Sequence, residues 1–239
     1  MTTDANAADR AADATDESET SSQDETEDSV AIYSDFVCPF CYLGRASLQQ
    51  YRADRDERGL PDLEVEWRFF DLRGHKRDPD GEIRDDVDDG KDEDYYDQVR
   101  ENVERLREEY DADAMLEFDE VHDADSWDAQ QVALAVKESE SYDDETFRAL
   151  YDALLDAHWE EGREIDDRDT LVEIAESVGV DADDVRAAVA DDALSEELET
   201  RFEEARQRGV TGVPTFTADG HAARGAVPPA HLRRLLEGV

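Results

Sequence analysis

The only two cysteines of this 239-residue chain, Cys38 and Cys41, lie in the stretch SDFVCPFCYLG, with Pro39 and Phe40 between them. Two thiols at this spacing close a small disulfide ring without unfolding their surroundings, so the pair is a candidate two-electron switch. Pro39 suits the first turn of a helix, where its missing N–H costs nothing. Cys38 then falls at the helix N-terminus, where unpaired backbone N–H groups and the helix dipole favour a negative charge. The thiolate is the reactive form of cysteine, and such positions lower a thiol pKa from ~8.5 into roughly 3.5–7.5. Cys38 is therefore expected to be the exposed, attacking sulfur. Cys41, one turn inward, is expected to resolve the mixed disulfide. Two plainer readings compete. A zinc site needs about four ligands and this motif supplies two. His75, His122, His158, His221 and His231 offer no tight pair at ligand spacing, so no metal is expected. The second is an inert buried pair of thiols. Asp35, three residues before Cys38, is either a proton acceptor for the inner thiol or a carboxylate that only shapes the turn.

The elements that must position this pair are legible around it. VAIYSDF supplies a short β-rich run from Val30 to about Tyr33, and helical residues run from Pro39 to a stop at Gly59. In LEVEWRFFDL, Leu63, Val65, Trp67 and Phe69 alternate with Glu64, Glu66 and Arg68. That period marks a half-exposed strand at a sheet edge. A strand–helix–strand opening predicts a parallel pair with a right-handed crossover. Residues 73 to 94 read as a polar loop. Helical spacing follows at Tyr96–Tyr110, Phe147–His158, Leu171–Val178 and Leu194–Ala205, with Val185 and Val189 before the last. After Gly209 the chain predicts a loop through GVPTF, a strand from Thr215 to Ala218, a turn at Asp219–Gly220, a second strand and a closing helix from Pro228. The fold class is thus α/β, a sheet with a helical insertion. Proline at 214 is compatible with an ordinary trans turn, since cis bonds are ~5–6% of X–Pro bonds. His158, on an apolar helix face beside Trp159, reads as a satisfied core or interface histidine rather than a catalytic one; Trp127, Trp159 and the Tyr95–Tyr96 pair read as core packing or as the lining of a groove, and His221 as an exposed turn residue.

Composition narrows the function classes. Sixty-eight Asp and Glu face 25 Lys and Arg, a net charge of −43, and the acid is spread over every segment. Nucleic acid and anionic membrane surfaces are repelled by such a field and are not expected partners. The spread suggests a halophilic surface, because at molar salt the Debye length is roughly 3 Å and self-repulsion is screened. No stretch approaches the roughly 18 apolar residues of a membrane span. Residues 1 to 28 lack an apolar h-region and large apolar side chains, so they read as a solvated tail, not a secretory signal, and the chain as cytoplasmic.

Three stretches carry a family resemblance: SDFVCPFCYLG, EEGREIDDRDTLVEIAESVGVD and EARQRGVTGVPTF. With them the chain, from about Val30 to Val239, resembles the DsbA family of thioredoxin-fold proteins, and most closely its FrnE-like branch. The resemblance implies a thioredoxin fold (β-α-β … β-β-α) with a helical domain inserted in the middle. The division would be an acidic tail at 1–29, the first half of the fold at 30–72, loop and insertion at 73–192, and the second half at 193–239. It implies thiol–disulfide oxidoreductase activity, with Cys38 as nucleophile, Cys41 as resolving thiol and no cofactor. Pro39 and Phe40 would meet substrate, as would Val213 and a cis Pro214, whose backbone would pair with an extended segment. Substrates would be protein or low-molecular-weight thiols and disulfides, and the protein a monomer or homodimer. Two departures are Phe40, where the family often has Trp, and GAVPP at 225–229 in place of GAQP. The alternative is a glutathione-kappa-like or 2-hydroxychromene-2-carboxylate isomerase-type enzyme, although those generally carry Ser at the first cysteine position. A non-catalytic acidic interaction protein is the third class.

Overall fold

Pro39 begins helix α1 (Pro39–Glu57) in its first turn, and Cys38 takes the N-cap in an extended conformation, φ −90° and ψ 117°. The computed structural model describes residues 29–78, 81–84, 86–88 and 90–238. The expected acidic tail lies outside them except for Ser29, which opens strand β1 (Ser29–Ser34). β1 pairs in parallel with β2 (Glu64–Phe69), joined to it through α1. On its other side β1 pairs antiparallel with β3 (Thr215–Ala218), which pairs antiparallel with β4 (His221–Arg224), so the sheet order is β2-β1-β3-β4. β2 is an edge strand, as its alternation predicts: Glu64 and Glu66 are exposed while Trp67 and Phe69 are buried. Asp219 and Gly220 make the β3–β4 turn with φ of 49° and 77°, the left-handed pair that matches strand twist in a two-residue hairpin. α8 (Pro229–Glu237) closes the fold against α1, β3 and β4.

Between β2 and β3 run α2 (Glu93–Glu109), α3 (Trp127–Glu138), α4 (Asp144–Trp159), α5 (Arg168–Ser177), α6 (Ala182–Val189) and α7 (Asp192–Gln207). Asp92, Asp143, Asp167, Asp181 and Asp191 each cap a helix by accepting a bond from a backbone N–H of its first turn. Part of the acidic composition therefore starts helices; a cap of this kind contributes about 1 kcal/mol. The polar stretch after β2 is not wholly irregular. It holds a 3-10 turn at Gly74–Lys76 and a bridge between Arg77 and Ile83. Arg77 straps it down, bonding Asp71 at 2.7 Å and Asp125 at 2.6 Å with its guanidinium 4.6 Å from the Trp127 ring.

Helix α3 escapes the periodicity argument. It packs against α4, α6 and α7, and Ala129, Gln130, Gln131, Val132, Ala133, Leu134 and Val136 are all buried. A helix enclosed on most sides carries no single apolar stripe. α7 packs on both α3 and β2, so it joins the helical block to the sheet edge. One continuous apolar cluster contains Ile32 and Trp67 of the sheet, Leu43 of α1, Leu134 and Leu150 of the inserted helices, and Leu232 of α8.

Candidate active site

β1 ends at Ser34, the chain turns through Asp35, Phe36 and Val37, and α1 starts. The turn is closed by backbone bonds from Cys38 N to Asp35 O (3.2 Å) and from Cys41 N to Cys38 O (2.9 Å). Both cysteines are unpaired thiols. The Cys38 thiol donates to the carbonyl oxygen of Val213 across 3.4 Å, and the Val213–Pro214 peptide bond is cis. Val213 and Pro214 are buried, and Pro39 and Phe40 are half-buried at the rim. Gly44, on the same helix, allows this approach. A Cβ there would meet Pro214 Cγ at 2.9 Å and the Phe216 ring at 3.3 Å. Only a residue without a side chain lets α1 run this close to the loop that carries Val213.

Cys38 is not the exposed sulfur expected from its place at a helix start. Its residue exposure is 3%, against 2% for Cys41. The reason is tertiary: Tyr33, Phe70, Ala205, Val210 and Val213 gather around both sulfurs and form an apolar patch distinct from the main core. Burial, and then the neighbouring Cys38 sulfur, push the Cys41 thiol well above the usual thiol range. Two donors oppose this, the Ser34 hydroxyl and the Asp35 backbone N–H, the latter 3.5 Å from Cys41 Sγ.

Asp35 lies inside the site at 2% exposure. Its amide touches Cys41, whereas its carboxylate turns the other way. It accepts from Leu72 N at 2.8 Å, Val37 N at 3.2 Å and the Ser126 hydroxyl at 2.5 Å. Burial pushes its pKa up to about 6; the bonds from Ser126, Leu72 and Val37 hold it down, and Asp71 adds to the rise. Gln130 Nε2 in turn donates to Ser126 Oγ at 3.0 Å. The inserted segment thus reaches the cysteine end of the sheet through Ser126, and through Tyr151, whose hydroxyl is 2.5 Å from Ser34 Oγ.

The remaining candidates sit elsewhere. Trp159 is core and donates to Phe36 O at 2.8 Å, and Trp127 packs on Phe202 with its N–H on Ser195. His158 is buried at 2% with Nδ1 unpartnered, and desolvation lowers its pKa to about 4. Tyr95 and Tyr96 are exposed on α2, and His221 is exposed. Among the described residues no cluster of three or more metal-ligating side chains exists. Sequence reasoning missed Ser34, Ser126, Tyr151 and Gly44. Ser34 and Gly44 were visible only as neighbours of the cysteines, and nothing local marks Ser126 or Tyr151.

Comparison with known proteins adds the following. The DSBA-like thioredoxin domain profile matches residues 29–237. The uncharacterized protein YwbO of Bacillus subtilis (strain 168) is 26% identical over 198 residues, covering 78% of this chain and 84% of that protein. A probable DsbA oxidoreductase from Streptomyces coelicolor superposes with a TM-score of 0.67 at 27% identity, covering 88% of each chain. A 2-hydroxychromene-2-carboxylate isomerase structure superposes with a TM-score of 0.64 at 20% identity, over 88% of this chain and 93% of that one. At that identity the last likeness is one of fold.

Proposed function

The chain belongs to the DSBA-like thioredoxin domain family, and from that premise we propose that it is a thiol–disulfide oxidoreductase of FrnE-like type working through Cys38 and Cys41. The observation that carries the reading is the Cys38 thiol held against the Val213 carbonyl with Cys41 buried beside it. Deprotonated Cys38 attacks one sulfur of a substrate disulfide. A Cys38–substrate bond forms, the substrate S–S bond breaks, and the first substrate sulfur leaves as a thiolate. Cys41, also deprotonated, then attacks Cys38 Sγ. The Cys38–Cys41 bond forms and the second thiolate leaves. Two protons given up by the enzyme match the two taken up by the substrate thiols, and the same steps in reverse oxidise a dithiol. The electrons reside on the two sulfurs, so the reaction requires neither cofactor nor metal.

Substrates on this reading are protein or low-molecular-weight thiols and disulfides. An extended substrate segment pairs with the backbone at Val213, with Pro39 and Phe40 at the rim; backbone pairing supplies affinity with little side-chain readout. Asp35, the acid–base candidate of the sequence, meets Cys41 through its backbone N–H, while its carboxylate, bonded to Val37 N, Leu72 N and the Ser126 hydroxyl, braces the turn that holds the pair. With −43 of formal charge the protein is suited to molar salt and has no use for nucleic acid. No described helix is long and apolar enough to cross a membrane, and the cytoplasm, as monomer or homodimer, is the proposed setting. The test is thiol trapping. Cys38→Ser is expected to abolish exchange, and Cys41→Ser to accumulate a mixed disulfide at Cys38 that small thiols release. An enzyme of the isomerase type would instead keep turnover of a chromene carboxylate in the Cys38→Ser variant; that result, with no mixed disulfide trapped, overturns the proposal.

A further inference from the structure

Strand β2 is an edge of the sheet, and a cavity of about 300 Å³ adjoins it, lined by Glu66 to Phe69 of β2, by residues of α3 and α7, and by Tyr33 of β1. Neither cysteine lines this cavity. Tyr33 and Ala205, which do, also belong to the apolar patch around the two sulfurs. We propose that the cavity is a binding site for a small molecule bearing one carboxylate on an apolar body, with Lys137 and Arg208 as the charge partners and the Trp67 indole N–H as a neutral donor. The inference stands on the cavity alone and does not rest on the oxidoreductase reading.

The charges run against the rest of the molecule. In a chain with 68 acidic and 25 basic side chains, four cations line this one cavity: Arg68 of β2, Lys137 of α3, Arg201 of α7 and Arg208 at the C-cap of α7. Three carboxylates accompany them, Glu66, Glu138 and Glu204, so the lining holds one positive charge in excess. Arg68 pairs with Glu66 at 2.7 Å, and Arg201 pairs with Glu138 at 2.6 Å and with Glu197 at 2.7 Å. Lys137 and Arg208 form no ion pair among the described residues, and both are exposed. Their donors are largely unused. An ammonium has three N–H groups, and Lys137 gives one to the carbonyl oxygen of Trp67, covering a backbone acceptor of the edge strand. A guanidinium has five, and that of Arg208 bonds to no side chain among the described residues. Glu66 is held below the usual carboxylate range first by its bond to Arg68 and further by the fields of Lys137 and Arg208, so both cations act on the same side of the cavity.

A neutral donor points to the same kind of occupant. Trp67 is 8% exposed, and its indole N–H is buried without an acceptor among the described residues. Buried donors are almost always paired, so an unpaired one in the wall of a cavity calls for an acceptor there. Trp67, Phe69, Leu134 and Ala205, all buried, supply apolar wall between the charged groups. Apolar wall with a few convergent polar groups is the usual make-up of a small-molecule site, and the volume falls at the lower end of the roughly 300–1,000 Å³ such sites span. The class of ligand follows. A single excess positive charge matches a monoanion, and Glu138 and Glu204 oppose the second charge of a phosphate. A carboxylate accepts two parallel bonds from a guanidinium, which suits Arg208. One ring or a short chain fills the volume, whereas an acidic polypeptide is repelled by a chain of net charge −43.

The test is calorimetric titration of the full chain with 3-phenylpropanoate at one fixed salt concentration, with 3-phenylpropanol and inorganic phosphate as comparisons. The carboxylate is expected to bind saturably at a single site, the alcohol about tenfold more weakly, and phosphate not to compete. Lys137→Gln and Arg208→Gln, both at exposed positions where the fold is not at stake, are each expected to weaken the carboxylate about tenfold, as for loss of one hydrogen bond to a charged group. The indole N–H resonances of the three tryptophans give a readout specific to the cavity. That of Trp67, identified by its loss in Trp67→Phe, is expected to move on saturation while those of Trp127 and Trp159 stay in place. Absence of saturable binding, equal affinity for the alcohol, phosphate bound more tightly than the carboxylate, undiminished affinity in both variants, or a Trp67 resonance that does not move overturns the site. The titration involves no thiol chemistry and is expected to read the same in a Cys38→Ser background, so its failure and the failure of the oxidoreductase reading are separate results.

Discussion

Replacing Asp35 by asparagine should make the protein more stable at neutral pH, and the gain should appear only across a defined window. The carboxyl is 2% exposed, and burial raises its pKa from 3.8 to about 6. Between those values the folded state holds a proton that the unfolded state has released. Stability therefore falls as pH rises through the window and levels off above it. Each unit corresponds to about 1.4 kcal/mol, so about two units amount to roughly 3 kcal/mol of native-state destabilisation at pH 7. Asparagine stays neutral and avoids this cost. Its Oδ1 still accepts from Leu72 N or Val37 N, and its amide donates to Ser126 Oγ, so the hydrogen bonds forfeited cost about 0.5–1.5 kcal/mol. The net expectation is a variant no more stable than the parent near pH 4 and about 2 kcal/mol more stable at pH 7 to 8. The assay is urea unfolding of both proteins, reduced and at one molar salt concentration, at intervals from pH 4 to 8. Taking the difference between proteins cancels every other titrating group. A difference that stays flat over that range refutes the reasoning, because the buried carboxylate would then carry no cost.

His158 has the opposite sign: its pKa is lowered to about 4 from 6.5, so stability present above pH 6.5 is lost as pH falls toward 4. Replacing it with asparagine is expected to remove about 3 kcal/mol of that acid sensitivity, read from the same unfolding series. Gly44→Ala gains about 1 kcal/mol of helix propensity but drives a methyl against Pro214 and Phe216. Overpacking of about 1–3 kcal/mol is expected to leave it less stable, with a lower denaturation midpoint. A chain of net charge −43 is expected to melt at a higher temperature in molar than in millimolar salt, and an unchanged melting temperature would remove the argument for salt adaptation.

Much of the frame was legible because it is local. A proline after Cys38 starts α1 whatever lies around it. Alternation in LEVEWRF placed β2 at an edge, and Asp219–Gly220 has the backbone freedom a tight hairpin needs. Motif and spacing together also indicated the sheet with its helical insertion and the pair of sulfurs. Helix α3 was illegible for an equally plain reason, since its burial on most sides erases the stripe that periodicity detects.

What surrounds the sulfurs was decided by packing. The Val213 carbonyl reaches Cys38 from 175 residues away, Ser126 reaches Asp35 from 91, and Tyr151 reaches Ser34 from 117. In the sequence Tyr151 is one more apolar point on a helix, indistinguishable from a tyrosine that only fills core. Its hydroxyl meets Ser34 only because of how α4 lies against β1, a relation set by many side chains at once. Sequence by itself determined which atoms can carry electrons and where a helix begins behind them. The tertiary structure alone decided that both sulfurs are enclosed and that the Val213 carbonyl faces Cys38, because burial and long-range hydrogen bonds depend on groups that meet only when the distant elements pack.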